Sequence, residues 1–164
     1  LASENYISIF KKKRINSTIL RLFTVYGPGQ NLENKMQGMI SIYLEQIYKN
    51  KKLIVRGSGE RIRDFIYIDD LTEIISKMIG KKIFYNQIYN IGSGNSYKIK
   101  DVIKKIQKIT KINFPVKYIK ATPLDQFYIY PNINKLKKFF NLKSFNTLDQ
   151  GLKKFVLSFK KIYK

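Results

Sequence analysis

Apolar side chains along the chain alternate between a helical and a strand period, and that alternation outlines the fold. Residues 1–14, LASENYISIFKKKR, place Leu1, Tyr6, Ile9 and Phe10 on one helical face, with Ser3, Glu4 and the Lys run largely on the other. This predicts an amphipathic helix with Tyr6 packed in its apolar face, although no Ser, Thr, Asp or Asn cap precedes it. STILRLF (residues 17–23) is β-branched and apolar between polar flanks, the pattern of a buried strand, and YGPGQN (26–31) is a loop. Residues 36–48, MQGMISIYLEQIY, fit a helix; LIV (53–55) is a short strand and GSGE (57–60) a tight turn. RIRDFIYI (61–68) predicts a strand, after which Asp69 or Asp70 caps a helix reaching about Gly80. QIYNIG (87–92) is a strand, and GSGNS leads into a helix over about 98–110. PVKYIK (115–120) is a strand, ATPLDQFYIYP (121–131) is irregular, and helices are expected over about 132–140 and 147–162.

Strands alternating with helices throughout predict an α/β class. Residues 1–164 show no repeat, low-complexity tract or linker, so they are treated as a single segment. GSGNS (92–96) lacks the third glycine of a dinucleotide fingerprint and the GK[ST] of a P-loop, so it is assigned as a strand-to-helix turn with Ser96 as cap.

Composition narrows the chemistry. The chain of 164 residues is 44% hydrophobic and 14% aromatic, enough for a folded core. No apolar run approaches the ~20 residues that span a bilayer, so no membrane partner is expected. Without Cys or His, proton chemistry falls to Tyr, Lys, Ser, Thr or carboxylates, and the lack of Cys fits a reducing, cytoplasmic setting. The net charge of +21 raises nucleic-acid binding. Lys is scattered over every predicted helix, Arg is sparse and no Arg–aromatic ladder appears, so no specific nucleic-acid partner is expected. A preference for anionic ligands remains.

Three stretches in order carry a resemblance: LRLFTVYGPGQ (20–30), RIRDFIYIDD (61–70) and YNIGSG (89–94), followed by ATPLDQFYIYPNINKLKKFFNL (121–142) and TLDQGLKKF (147–155). Together they resemble the NAD-dependent epimerase/dehydratase family, the nucleotide-sugar branch of the extended short-chain dehydrogenase/reductases, over essentially the whole chain. The fold implied is the C-terminal part of a Rossmann-type extended short-chain dehydrogenase fold. The end of the Rossmann unit would interleave with the smaller sugar-nucleotide-binding region. In this family a YxxxK motif on a helix precedes a LASE-x-Y-like segment, so Leu1 falls directly behind the catalytic Lys position. The catalytic pair and the Gly-rich turn that binds most of the NAD would then lie in an N-terminal half outside this sequence. The resemblance accordingly implies no catalytic residue here and no turnover by this chain alone.

It also implies ligand positions. Leu22 and Phe23 correspond to cofactor-side positions, and Thr24 to a substrate-side position often held by Asn. Arg63 corresponds to the Arg that meets the nucleotide diphosphate, where a guanidinium suits phosphate. Ile54, Val55 and Arg56 match the short strand along the nucleotide base, and Asp125 an acidic position before the terminal helices. Thr122 and Met39 stand where some members carry a second diphosphate-binding Arg and a substrate-binding Asn, which leaves the sugar open.

The activity implied is C4 epimerisation of a nucleotide sugar, UDP-linked by expectation, through hydride transfer to NAD. A nucleotide-sugar 4,6-dehydratase and a non-catalytic sugar-nucleotide binder are the alternatives. A homodimer is expected for the full enzyme, and apolar faces left exposed on this chain by itself are expected to limit its solubility.

Overall fold

The computed structural model describes residues 2–11, 15–30 and 38–162. Its elements follow in the order α1 (Ala2–Lys11), β1 (Thr18–Leu22), β2 (Thr24–Tyr26), α2 (Met39–Asn50), β3 (Leu53–Arg56), β4 (Ile62–Tyr67) and α3 (Ile68–Met78). Then come β5 (Gln87–Ile91), β6 (Ser96–Lys98), α4 (Ile99–Thr110), β7 (Val116–Ile119), β8 (Tyr128–Ile129), α5 (Asn134–Lys137) and α6 (Leu148–Ile162). The α/β class is what the alternating periods predicted.

β4 is the centre. Five of its six residues are buried, as expected of a strand covered on both faces, and it pairs with β2 and β8 in parallel and with β6 antiparallel. β1 and β5 form a separate parallel pair, Thr18↔Gln87 through Leu22↔Ile91, and β3 and β7 another, Leu53↔Val116 through Arg56↔Ile119. β1 and β2 are one extended run divided at Phe23, whose N–H bonds the Ile91 carbonyl at 3.0 Å. Before that residue the chain pairs with β5; after it, Thr24 lies against Phe65 of β4. The run therefore changes partners at Phe23.

Two apolar cores flank this framework. Leu44, Ile47, Val102, Ile106, Leu152 and Phe159 pack α2, α4 and α6 together with β2, β3 and β4, and each of these side chains is fully buried. Ile74, Phe84, Tyr89, Leu136 and Phe140 join α3 to β5 and α5 in the second.

Helix starts depart from the sequence expectation in an instructive way. Ser96 is not a cap but the first residue of β6, paired with Asp64. α4 opens after Lys98 with no side-chain cap, because the Arg61 and Gly59 carbonyls accept from Ile99 N–H (3.0 Å) and Lys100 N–H (2.9 Å). Asp69 and Asp70 sit in the first turn of α3 rather than capping it, a favourable place for negative charge. Buried Asp70 accepts from the Asn146 amide nitrogen at 2.8 Å and from its N–H, tying α3 to the segment before α6. α6 does start with a side-chain cap: Thr147 Oγ1 accepts from Gln150 N–H (3.3 Å) and Gln150 Oε1 from Thr147 N–H (2.8 Å), the reciprocal box that T-x-x-Q encodes.

The helix expected over 132–140 shrinks to Asn134–Lys137, because the following Phe139 and Phe140 turn onto Phe84 at ring separations of 5.2 and 6.2 Å. The segment taken as irregular contains β8, drawn straight by pairing with β4. In α1 the expected apolar face is turned outward, with Tyr6 67% and Ile9 55% exposed. Glu4 and Ile7 instead face Ile19 and Ile88 of the β1–β5 pair, and Glu4 forms a two-pronged ion pair with Arg21, both bonds 2.7 Å. The expected face also included Leu1 and Phe10, whose side chains lie outside the described residues.

Candidate functional site

Successive side chains of β4 point to opposite faces, so Arg63 and Asp64 serve different purposes. Asp64, 1% exposed, receives the Ser93 and Gly94 N–H groups at 2.7 Å each and the Ser93 hydroxyl at 3.2 Å. Burial raises its pKa against the opposing pull of those bonds. The GSGNS backbone donors are thus spent on an internal carboxylate, which agrees with a structural turn and not a phosphate cradle.

Arg63, 4% exposed, points the other way. Its guanidinium donates to Asp125 Oδ1 (2.8 Å) and to the carbonyls of Ile62 (2.8 Å), Gln126 (2.7 Å) and Phe127 (3.2 Å). Two residues earlier, Arg61 is also buried; it donates to Asp125 Oδ2, the Arg56 carbonyl and the Ser58 carbonyl. One carboxylate is held between two buried guanidiniums, leaving an excess positive charge that favours an anionic neighbour. Burial lowers the pKa of Arg63 while Asp125 pulls it up. Tyr43 lies against this cluster, and desolvation pushes its phenol up to about 12, with Arg61 pulling the other way.

Beside the cluster, at the change of partners along β1 and β2, lies an open groove of about 640 Å³. Arg21, Leu22, Phe23, Thr24 and Asn90 form one wall and residues 129–132 the other. The Asn90 side-chain amide donates to the Asn132 carbonyl at 3.0 Å and joins the two walls. Because Ile129 is the register partner of Arg63, one wall of the groove continues into the Arg61–Arg63–Asp125 cluster.

Of the residues singled out from sequence, Leu22, Phe23 and Thr24 meet in the groove, and Arg63 meets Asp125 next to it. Ile54, Val55 and Arg56 lie on β3, where Val55 is fully buried in the core while Ile54 and Arg56 face outward. Arg56 reaches the cluster through its carbonyl. Met39 packs against the first core, and the Thr122 carbonyl closes a turn on Asp125 N–H at 3.1 Å. The sequence reading passed over Arg61 and Asn90. Arg61 was available from the two-residue strand period, which puts it on the same face as Arg63; Asn90 had no local signal.

What the groove offers is an apolar wall with a hydroxyl, an amide and the Arg21 guanidinium, next to a buried cluster in which Arg61 and Arg63 are bonded to Asp125 and to backbone carbonyls. A flat apolar ring fits against Leu22 and Phe23, so one end of a nicotinamide cofactor is compatible with the groove. The Gly-rich turn at residues 93–94 is not free for such a cofactor's phosphates, since Asp64 takes its N–H groups. No helix among the described residues is long and apolar enough to cross a membrane.

Comparisons with known proteins converge on one family. Residues 1–92 match the model of the NAD dependent epimerase/dehydratase family. The ADP-L-glycero-D-manno-heptose-6-epimerase of Brachyspira hyodysenteriae is 29% identical over 155 residues, covering 90% of this chain and 48% of that protein. The UDP-glucose 4-epimerase of Thermotoga maritima, solved with UDP-glucose, superposes with a TM-score of 0.87 at 26% identity, covering 99% of this chain and 52% of that one. The UDP-glucuronic acid 4-epimerase of Bacillus cereus, solved with UDP-glucuronic acid and NAD, gives a TM-score of 0.82 at 28% identity over 94% of this chain and 48% of that one. The chain spans about half the length of the curated relatives it matches. With the matched model covering more than half of its residues and these folds superposing along nearly all of it, the chain belongs to the NAD dependent epimerase/dehydratase family.

Proposed function

We propose that this chain forms the sugar-nucleotide side of an NAD-dependent nucleotide-sugar 4-epimerase and works with a cofactor-binding half like the one that completes its relatives. The observation that carries this reading is the groove at Phe23, lined by Arg21, Leu22, Phe23 and Thr24, with the Arg61–Arg63–Asp125 cluster adjoining its Ile129 wall through strand register. A diphosphate suits the excess charge of Arg61, Arg63 and Asp125, and a sugar then reaches the wall formed by Leu22, Phe23 and Thr24. Thr24 Oγ1 and the Asn90 amide are the polar groups that would orient it. Ile54 and Arg56, exposed on β3, are assigned to the base. Bound NAD supplies hydride acceptance and return at the sugar carbon. The residues of this chain bind and orient the substrate, hold apolar surface against the nicotinamide end and exclude water; the proton-transferring Tyr and its Lys belong to the other half. The full enzyme is read as a homodimer.

Calorimetric titration with UDP-glucose, UDP and glucose tests the reading. UDP and UDP-glucose should bind, free glucose should not, and Arg63→Ala should weaken UDP roughly tenfold to a hundredfold, the worth of one or two charge-assisted hydrogen bonds. UDP binding that ignores Arg63→Ala, or glucose binding as well as UDP-glucose, overturns it.

A further inference from the structure

A second concavity lies on another face, between α4 and α6, with a volume of about 700 Å³. Its rim carries Lys105, Lys108 and Lys111 from α4 and its C-cap, and Lys153 and Lys160 from α6. Five of nine lining residues are Lys, against 32 Lys plus Arg in 164 residues overall, so the groove is enriched well beyond the general basicity of the chain. Lys105 is held by Asp149 at 2.6 Å; the other four have no ion-pair partner among the described residues. The accessible apolar surface is formed by Ile109 and Leu157, over Val156, which is buried in the core. Leu157 is 62% exposed and lies between Lys153 and Lys160 on the same helical face, an apolar contact point framed by cations.

We propose that this groove docks an acidic amphipathic helix of a partner protein. From Asp149 to Lys160 α6 rises about 16 Å at ~1.5 Å per residue, the length of a three-turn helix. A helix with apolar residues at i, i+4 and i+7 lays that stripe over Ile109 and Leu157, while flanking Glu or Asp meet the four unpaired lysines. Charge decides among occupants. A second copy seated symmetrically here would set this lysine-lined groove against its own equivalent, so this face is not where two copies meet. A nucleic acid would find no Arg and no aromatic ring in the lining on which bases stack, and would leave the apolar floor unused. A bilayer surface cannot follow a concave floor. This inference stands apart from the sugar-nucleotide reading, which concerns a different face.

The test measures fluorescence anisotropy of the full chain with a synthetic peptide of about 12 residues, matched to the length of the groove, bearing Leu at i, i+4 and i+7 among Glu residues. A shuffled peptide of identical composition is the control. The ordered peptide should bind at least about tenfold more tightly than the shuffled one, and Leu157→Asp or the double variant Lys153→Glu/Lys160→Glu should each remove about tenfold or more of that affinity. These positions are exposed, so the thermal melt should not change. Equal binding of the two peptides overturns the proposal, as do insensitivity to the variants, absence of binding, and tighter binding to duplex DNA or phosphatidylserine vesicles than to the ordered peptide.

Discussion

The body around β4 and the flank formed by α1 and β1 are built on different physics. In the body, α2, α4 and α6 close over the sheet with Leu44, Ile47, Ile106, Leu152 and Phe159 completely buried. On the flank, α1 turns Tyr6 and Ile9 outward and is tied to β1 through the Glu4–Arg21 fork. Periodicity announces a helix in both places. It does not say whether the apolar stripe finds a partner, and burial of that stripe supplies most of a helix's stability within a protein. Leu22, 50% exposed at the end of β1, belongs to this open side and also to the proposed binding groove.

The sharpest test of this contrast is a core truncation. Phe159→Ala should cost about 3–5 kcal/mol in urea denaturation, by loss of burial and creation of a cavity. Ile9→Ala should leave the midpoint nearly unchanged, and an equal loss at the two positions would erase the distinction.

Next in size is an alkaline effect from Tyr43 in the body. Burial pushes its phenol up to about 12, above the ~10 of an exposed tyrosine, so the unfolded chain loses its proton first. Stability from this group is complete below the unfolded pKa and falls as pH climbs towards 12, by about 3 kcal/mol at 1.4 kcal/mol per pKa unit. Tyr43→Phe should make that part of the stability–pH curve less steep, the remaining slope coming from Tyr26, whose phenol is pushed up further by burial; unchanged steepness would place the alkaline loss elsewhere.

Asp64→Ala should cost about 1–3 kcal/mol, because it strands two loop N–H groups. Hydrogen exchange should speed up at Ser93 and Gly94 while the α6 amides stay protected; uniform acceleration would mean the loop is not a separate unit. The smallest effect is on the flank. Arg21→Ala should loosen α1 without shifting the global melt, and roughly 1 M salt should reproduce the effect in the parent chain. Amide shifts confined to α1 and β1 are the expected NMR signature.

Much of the candidate site was legible because its parts are short and local. RIRDFIYI reads as a strand, and its period places Arg61 and Arg63 on one face. The resemblance pointed to Arg63, Asp125 and the Leu22–Thr24 run, and the fold gathers these into a cluster and its adjoining groove. Arg61 sharing Asp125, and Asn90 bracing Asn132, were hidden because each depends on partners 64 and 42 residues away in sequence. The helix starts were misread for a related reason. A cap can come from any carbonyl that tertiary structure brings near, and at α4 it comes from Gly59 and Arg61.

By itself, the sequence determined the alternation of strands and helices, the T-x-x-Q start of α6 and the family motifs, since propensity, period and capping act over a few residues. Tertiary structure alone decided that Arg63 lends its charge to Asp125, that the 93–94 loop serves Asp64, that α1 faces outward and that lysines from two helices frame one groove. Those outcomes rest on burial and on pairing between distant segments, and neither is encoded in any single stretch of the chain.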